Sequence, residues 1–158
     1  MKEILFTLII VLFCIHAPAQ TDSLSRVKRN GIYAEWYGIR HDFSTGFISL
    51  NYERQLGKKM KYALRLGLYP NFETTVSFPV TFTRITRPAK NHHFEFGLGA
   101  VYRLEFYEGN VYKDLPAIMF PLMYRYQKSE GWFFRAGINL FVSWPTIPSP
   151  SFSAGYRF

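Results

Sequence analysis

Apolar and polar residues alternate with a period of two along most of the chain beyond residue 30. In 92–106, Phe94, Phe96, Leu98, Ala100, Tyr102, Leu104 and Phe106 fall on one side, and His93, Glu95, Gly97, Gly99, Val101, Arg103 and Glu105 on the other. The stretch 131–143 sets Trp132, Phe134, Ala136, Ile138, Leu140 and Val142 against Phe133, Arg135, Gly137, Asn139, Phe141 and Ser143. Successive side chains of a strand point to opposite faces, so each list is a surface: one uniformly apolar, the other holding nearly all the charge. Strand-like segments separated by turn signals occur at 31–40, 45–56, 60–69, 75–86, 92–106, 115–127, 131–143 and 151–158.

The two faces decide the environment. A soluble barrel buries its apolar face and exposes its charged one, whereas a small membrane barrel does the reverse around a lumen that side chains fill. The last segment, Ser151 to Phe158, puts Phe152, Ala154, Tyr156 and Phe158 on one face and ends on an aromatic. That is the pattern of the closing strand of an outer-membrane barrel. The fold expected is all-β, an eight-stranded antiparallel up-and-down transmembrane β-barrel over 31–158, with Phe158 and Tyr156 as the signal read by the barrel-insertion machinery. Connections at 57–59, 87–91 and 128–131 are short, and those at 41–44, 70–74, 107–114 and 144–150 are richer in aromatics, acids and prolines. With both ends of the barrel chain periplasmic, this gives three inner turns and four outer loops.

The inward set contains Glu35, Glu53, Glu95 and Glu105 with Arg65, Arg103, Arg125, Arg135 and Arg157. Charges of both signs in a narrow interior must pair, since an isolated one costs several kcal/mol. By height along the strands, Glu53 and Glu95 are expected beside Arg125 and Arg157, Glu35 beside Arg65 and Arg135, and Glu105 with Arg103. Pro79 and Pro121 interrupt strands and predict bulges. Trp36, Tyr52, Tyr126, Trp132 and Trp144 are suited to interfacial girdles.

The N-terminus adds a compartment. Met1-Lys2-Glu3, an apolar run from Ile4 to Ile15, and Ala17-Pro18-Ala19 before Gln20 form the three regions of a secretory signal peptide, cleaved after residue 19. The run is too short for a spanning helix, which needs roughly 20 apolar residues. Residues 20–30 read as a polar periplasmic leader. Cys14 suggests a lipoprotein, but Phe13 stands where lipid attachment needs a small residue. Cleavage after residue 19 leaves no cysteine, and so no disulfide or thiol chemistry.

Composition narrows the partners. Aromatics make up 19% of the chain at a mean hydropathy of −0.07, so apolar residues are abundant yet interleaved. The net charge of +8 comes from scattered Lys and Arg without a nucleic-acid motif, and anionic lipid head groups are its expected counterpart. Asn30-Gly31-Ile32-Tyr33-Ala34-Glu35, Ser49-Leu50-Asn51-Tyr52-Glu53-Arg54, Tyr62-Ala63-Leu64-Arg65-Leu66-Gly67, 91–99 (NHHFEFGLG) and Gly155-Tyr156-Arg157-Phe158 resemble segments of small outer-membrane β-barrel proteins of Bacteroidetes-type bacteria. In architecture the chain is more distantly similar to OmpA- and OmpX-type barrels. The resemblance implies a Gram-negative outer membrane and a structural or adhesive role, and it carries over no catalytic residues.

The alternative is a lipid A-modifying enzyme, an acyl transferase or deacylase, which needs a His base and a Ser near the outer rim. His41 and Ser44 in His41-Asp42-Phe43-Ser44 supply those types without the flanking pattern of either enzyme group. His92 and His93 fall at the periplasmic end and are too few for a metal site. The loop 144–150, with three prolines, suits a fixed interaction surface. The expectation is a non-enzymatic monomer without cofactor or metal, with outer-membrane lipid and lipopolysaccharide as its surroundings. A passive channel fits least, because the lumen is filled.

Overall fold

The computed structural model describes residues 28–38, 47–71, 75–87, 90–107, 110–113, 116–128, 131–142 and 146–158. The signal peptide, most of the leader, Trp144, and the first outer loop with His41 and Ser44 lie outside the described residues.

The alternation produces strands β1 (Asn30–Tyr37), β2 (Phe47–Leu56), β3 (Tyr62–Asn71), β4 (Thr75–Ile85), β5 (His92–Tyr107), β6 (Asn110–Lys113), β7 (Ala117–Gln127), β8 (Gly131–Val142) and β9 (Ile147–Arg157). All pair antiparallel in the order β4-β3-β2-β1-β9-β8-β7-β5-β6, and β4 also pairs with β5, so the sheet closes. Short β6 and longer β7 both lie against β5 and make up one barrel wall. The result is a closed eight-stranded antiparallel barrel of the transmembrane type.

Closure fixes the tilt. A path of paired residues from Gly31 through Glu53, Arg65, Thr81, Gly99, Met119 and Phe141 returns on β9 at Ile147. Gly31 itself pairs there with Arg157, ten residues further on. A stagger of that size in so small a barrel requires strands inclined by roughly 35–45° to the axis.

The barrel is inverted relative to a soluble one. Ile48, Leu50 and Phe94 on the outer wall are 64%, 63% and 65% exposed, while Arg125, Arg135, Glu53 and Glu95 inside are 2% exposed or less. An apolar wall of this extent is incompatible with water and suited to hydrocarbon.

Two expectations change. No bulge forms at Pro79 or Pro121: each keeps its pairing on one side, with Val101 and Asn139, and the register is the same before and after the gap on the other. Both face inward, and each missing N–H points across the gap at a glycine, Gly67 or Gly97. A register step of one residue does occur along β5, which pairs Leu104 with Lys113 of β6 but Val101 with Ala117 of β7. The stiff outer loop expected at 144–150 is shorter, because β9 starts at Ile147. Pro148 and Pro150 face outward within it, and the Pro150 carbonyl accepts from the Gly38 N–H at 2.6 Å. Since N–H and C=O of one residue point the same way in a ladder, both prolines direct their missing donor towards the β1 side, beyond its last paired residue, Tyr37. They cost no bond to β8.

Candidate functional site

The chemistry of the described chain is concentrated in the lumen, in the half nearer the short turns. Glu53 on β2 and Arg65 on β3 are direct cross-strand partners, and the Arg65 Nε donates to Glu53 Oε2 at 2.9 Å. Glu95 on β5 reaches the same guanidinium from the far wall. Arg125 on β7 closes the square, with ion pairs of 2.7 Å to both Glu53 and Glu95. Four strands thus contribute two carboxylates and two guanidiniums to one buried ring of charge. Each residue reaches it because it has inward parity in an alternating strand.

Arg135 on β8 lies at the edge of this ring, 3.7 Å from Glu53, 3.8 Å from Glu95 and 3.6 Å from Glu35. Its Nε donates to Ser153 Oγ at 2.8 Å, and its guanidinium carbon lies 3.9 Å from the centroid of the Tyr33 ring. Phe133, fully buried, presents its ring to Arg125 at 4.5 Å and meets Tyr33 edge-on at 5.8 Å. Aromatic faces therefore cover the sides of the guanidiniums that no carboxylate occupies. Strand alternation places Tyr33 and Phe133 inward, but it does not show that they serve as guanidinium platforms.

The remaining inward charges separate. Glu35 accepts from Asn139 Nδ2 at 3.3 Å and has Arg135, not Arg65, as its cationic neighbour. Arg157 lies below the ring. It donates to Gln55 Oε1 at 2.9 Å and to the Lys28 carbonyl, and is not in ion-pair range of Glu53 or Glu95. Gln55 in turn donates to Gln127 at 3.3 Å. Arg103 and Glu105 stand at the loop end of β5, opposite Ser77 and Thr75, remote from the ring. Above the ring, Tyr37, Asn51, Pro79, Met119 and Asn139 line a gap with room for about one water molecule. The arrangement can lock the barrel and exclude solutes. The gap that these described residues line has no space for a substrate.

On the outer wall at the turn end, aromatic side chains form a band. Trp132 packs edge-on against Tyr156 at 5.7 Å, and Tyr62 stacks on Phe82 at 5.6 Å. His92 lies 5.2 Å from Tyr126 and is hydrogen-bonded to the Tyr124 hydroxyl. Tyr52 belongs to the same band, its hydroxyl donating to Asn30 at 2.8 Å. Trp36 is exposed towards the opposite rim. Among the described residues no cluster of His, Cys, Asp and Glu could hold a metal ion.

The fold is similar to that of a solved outer-membrane barrel. The Yersinia pestis outer membrane protein Ail, studied in a phospholipid bilayer nanodisc, superimposes with a TM-score of 0.56 at 11% identity, over 83% of this chain and 99% of Ail. Neisserial surface protein A aligns over 82% of this chain and 95% of its own, at 12% identity and a TM-score of 0.48. No family model and no curated protein sequence matches the chain.

Proposed function

We propose that this chain is an exported outer-membrane barrel of a Gram-negative bacterium, with a structural or surface-interaction role and no catalytic activity. The observation that carries the reading is the inversion of the barrel, apolar outside and charged within. Hydrocarbon is the surrounding in which such a wall is stable, and the likeness of fold to Ail supports the choice of membrane. Residues 1–19 act as the cleaved export signal, residues 20–30 as the leader, and Phe158 with Tyr156 as the feature that the insertion machinery reads. The resemblance of the strand segments favours a Bacteroidetes-type source. The outer loops are the only part of such a molecule free to meet a partner, which makes them the interaction face, while the packed lumen argues against transport or luminal catalysis.

Expression with residues 1–19 intact, followed by membrane fractionation and unheated gel electrophoresis, tests the reading. The mature chain should begin at Gln20 and run as a compact outer-membrane species that shifts on boiling. Removing Phe158 should lower the yield of that species. Recovery as a soluble periplasmic protein would overturn the proposal. Mass spectrometry of lipid A from cells with and without the protein should show no change in acylation; a change that requires both His41 and Ser44 would make it an enzyme.

A further inference from the structure

The barrel wall carries two outward-facing arginines among its described strand residues, and they are close together. Arg54 stands two residues before the end of β2, and Arg84 one residue before the end of β4. Between them runs β3, whose Tyr62 pairs with Leu56 on one side and with Arg84 on the other, while Arg54 pairs with Leu64. The Tyr62 ring is held by stacking on Phe82 at an interplanar angle of 17°, and the Arg84 guanidinium lies 5.9 Å from the centroid of the Phe96 ring. Neither arginine forms an ion pair with any described residue. On a wall that faces hydrocarbon, a guanidinium at this position is costly unless it reaches an anion at the membrane surface.

The surroundings specify the anion. Just beyond these arginines the turns carry exposed Lys58, Lys59, Lys61, Arg87, Lys90 and Lys128, and no exposed Asp or Glu side chain occurs at this end among the described residues. The cations lie just outside the aromatic band that marks an interface, at the depth where lipid phosphates sit. Arginine suits the site because its planar fork binds two phosphate oxygens at once, and a tyrosine hydroxyl supplies a further donor. The side chains project sideways from the wall and not into the lumen, so the phosphate that meets them belongs to a lipid.

We propose that Arg54, Tyr62 and Arg84 form a binding site for the phosphate of an anionic phospholipid in the leaflet at the turn end, with the turn lysines as a supporting positive collar. The proposal rests on the membrane reading above. Native mass spectrometry of the barrel, released from vesicles of phosphatidylcholine mixed with phosphatidylglycerol, tests it. The protein should retain phosphatidylglycerol preferentially, and Arg54→Gln and Arg84→Gln should weaken retention by roughly 5-fold each, while both variants keep the compact unheated gel band. An Arg84→Lys variant should recover part of the loss. Equal retention of the two lipids by the wild type, or unchanged preference in a folded double variant, would overturn the proposal. Failure of the wild type to enter vesicles at all would instead sink the membrane reading itself.

Discussion

Glu53 is the residue on which most of the interior depends. It touches Arg65, Arg125 and Arg135, whereas Glu35 has one long ion pair and one weak hydrogen bond. Removing one partner from a buried pair leaves the others uncompensated, at a typical cost of about 3–5 kcal/mol. Glu53→Gln should therefore lower the unfolding free energy by that order in a denaturant titration in detergent micelles. Glu35→Gln should cost clearly less, and equal losses would show that the ring is not the principal lock. Phe133→Leu keeps apolar volume but removes the face beneath Arg125. Its expected loss is about 2 kcal/mol in the same titration.

The strands show which features alternation can reveal and which it cannot. In β5 and β8, large apolar residues and charged or small ones divide cleanly, so the two faces are legible in the sequence alone. The same alternation assigns every member of the charged ring to the lumen. It does not say which carboxylate meets which guanidinium, because that depends on the ten-residue stagger, a property of closure around all the strands. Height counted along isolated strands therefore pairs Arg65 with Glu35, when its direct cross-strand neighbour is Glu53. The prolines mislead for a local reason: their cost depends on which neighbour the missing N–H faces. At Pro79 that neighbour is Gly67, and a methyl group there would stand 2.6 Å from the proline Cγ as well as against Asn51. Gly67→Ala should destabilise the barrel by about 1–3 kcal/mol through overpacking, measured by thermal unfolding in detergent. An unaltered midpoint would mean that Pro79 and Asn51 yield without cost.

Among the described strands the interior is packed. Arg65, Arg125 and Arg135 with Glu35, Glu53 and Glu95 fill its lower half, and the gap above them admits about one water molecule. In a planar bilayer the barrel should show no steady conductance, and stable open steps at moderate voltage would show that the plug moves. Its two ends differ in charge: in the sequence the short turns carry Lys58, Lys59, Arg87, Lys90 and Lys128 against the single acid Glu130, while the opposite loops contribute Asp42, Glu73, Glu108 and Asp114. Such a molecule has a preferred direction across a membrane independently of any partner.

The pairing of β1 with β9, Gly31 opposite Arg157, has a consequence for the timing of folding. The first strand of the barrel finds one of its two neighbours only when the last has arrived. Until then its edge donors and acceptors are open, and the chain is an invitation to aggregation. Contacts of such sequence separation make closure slow and all-or-none. A chain that stops before residue 151 thus leaves the β1 edge open and does not close as a smaller barrel.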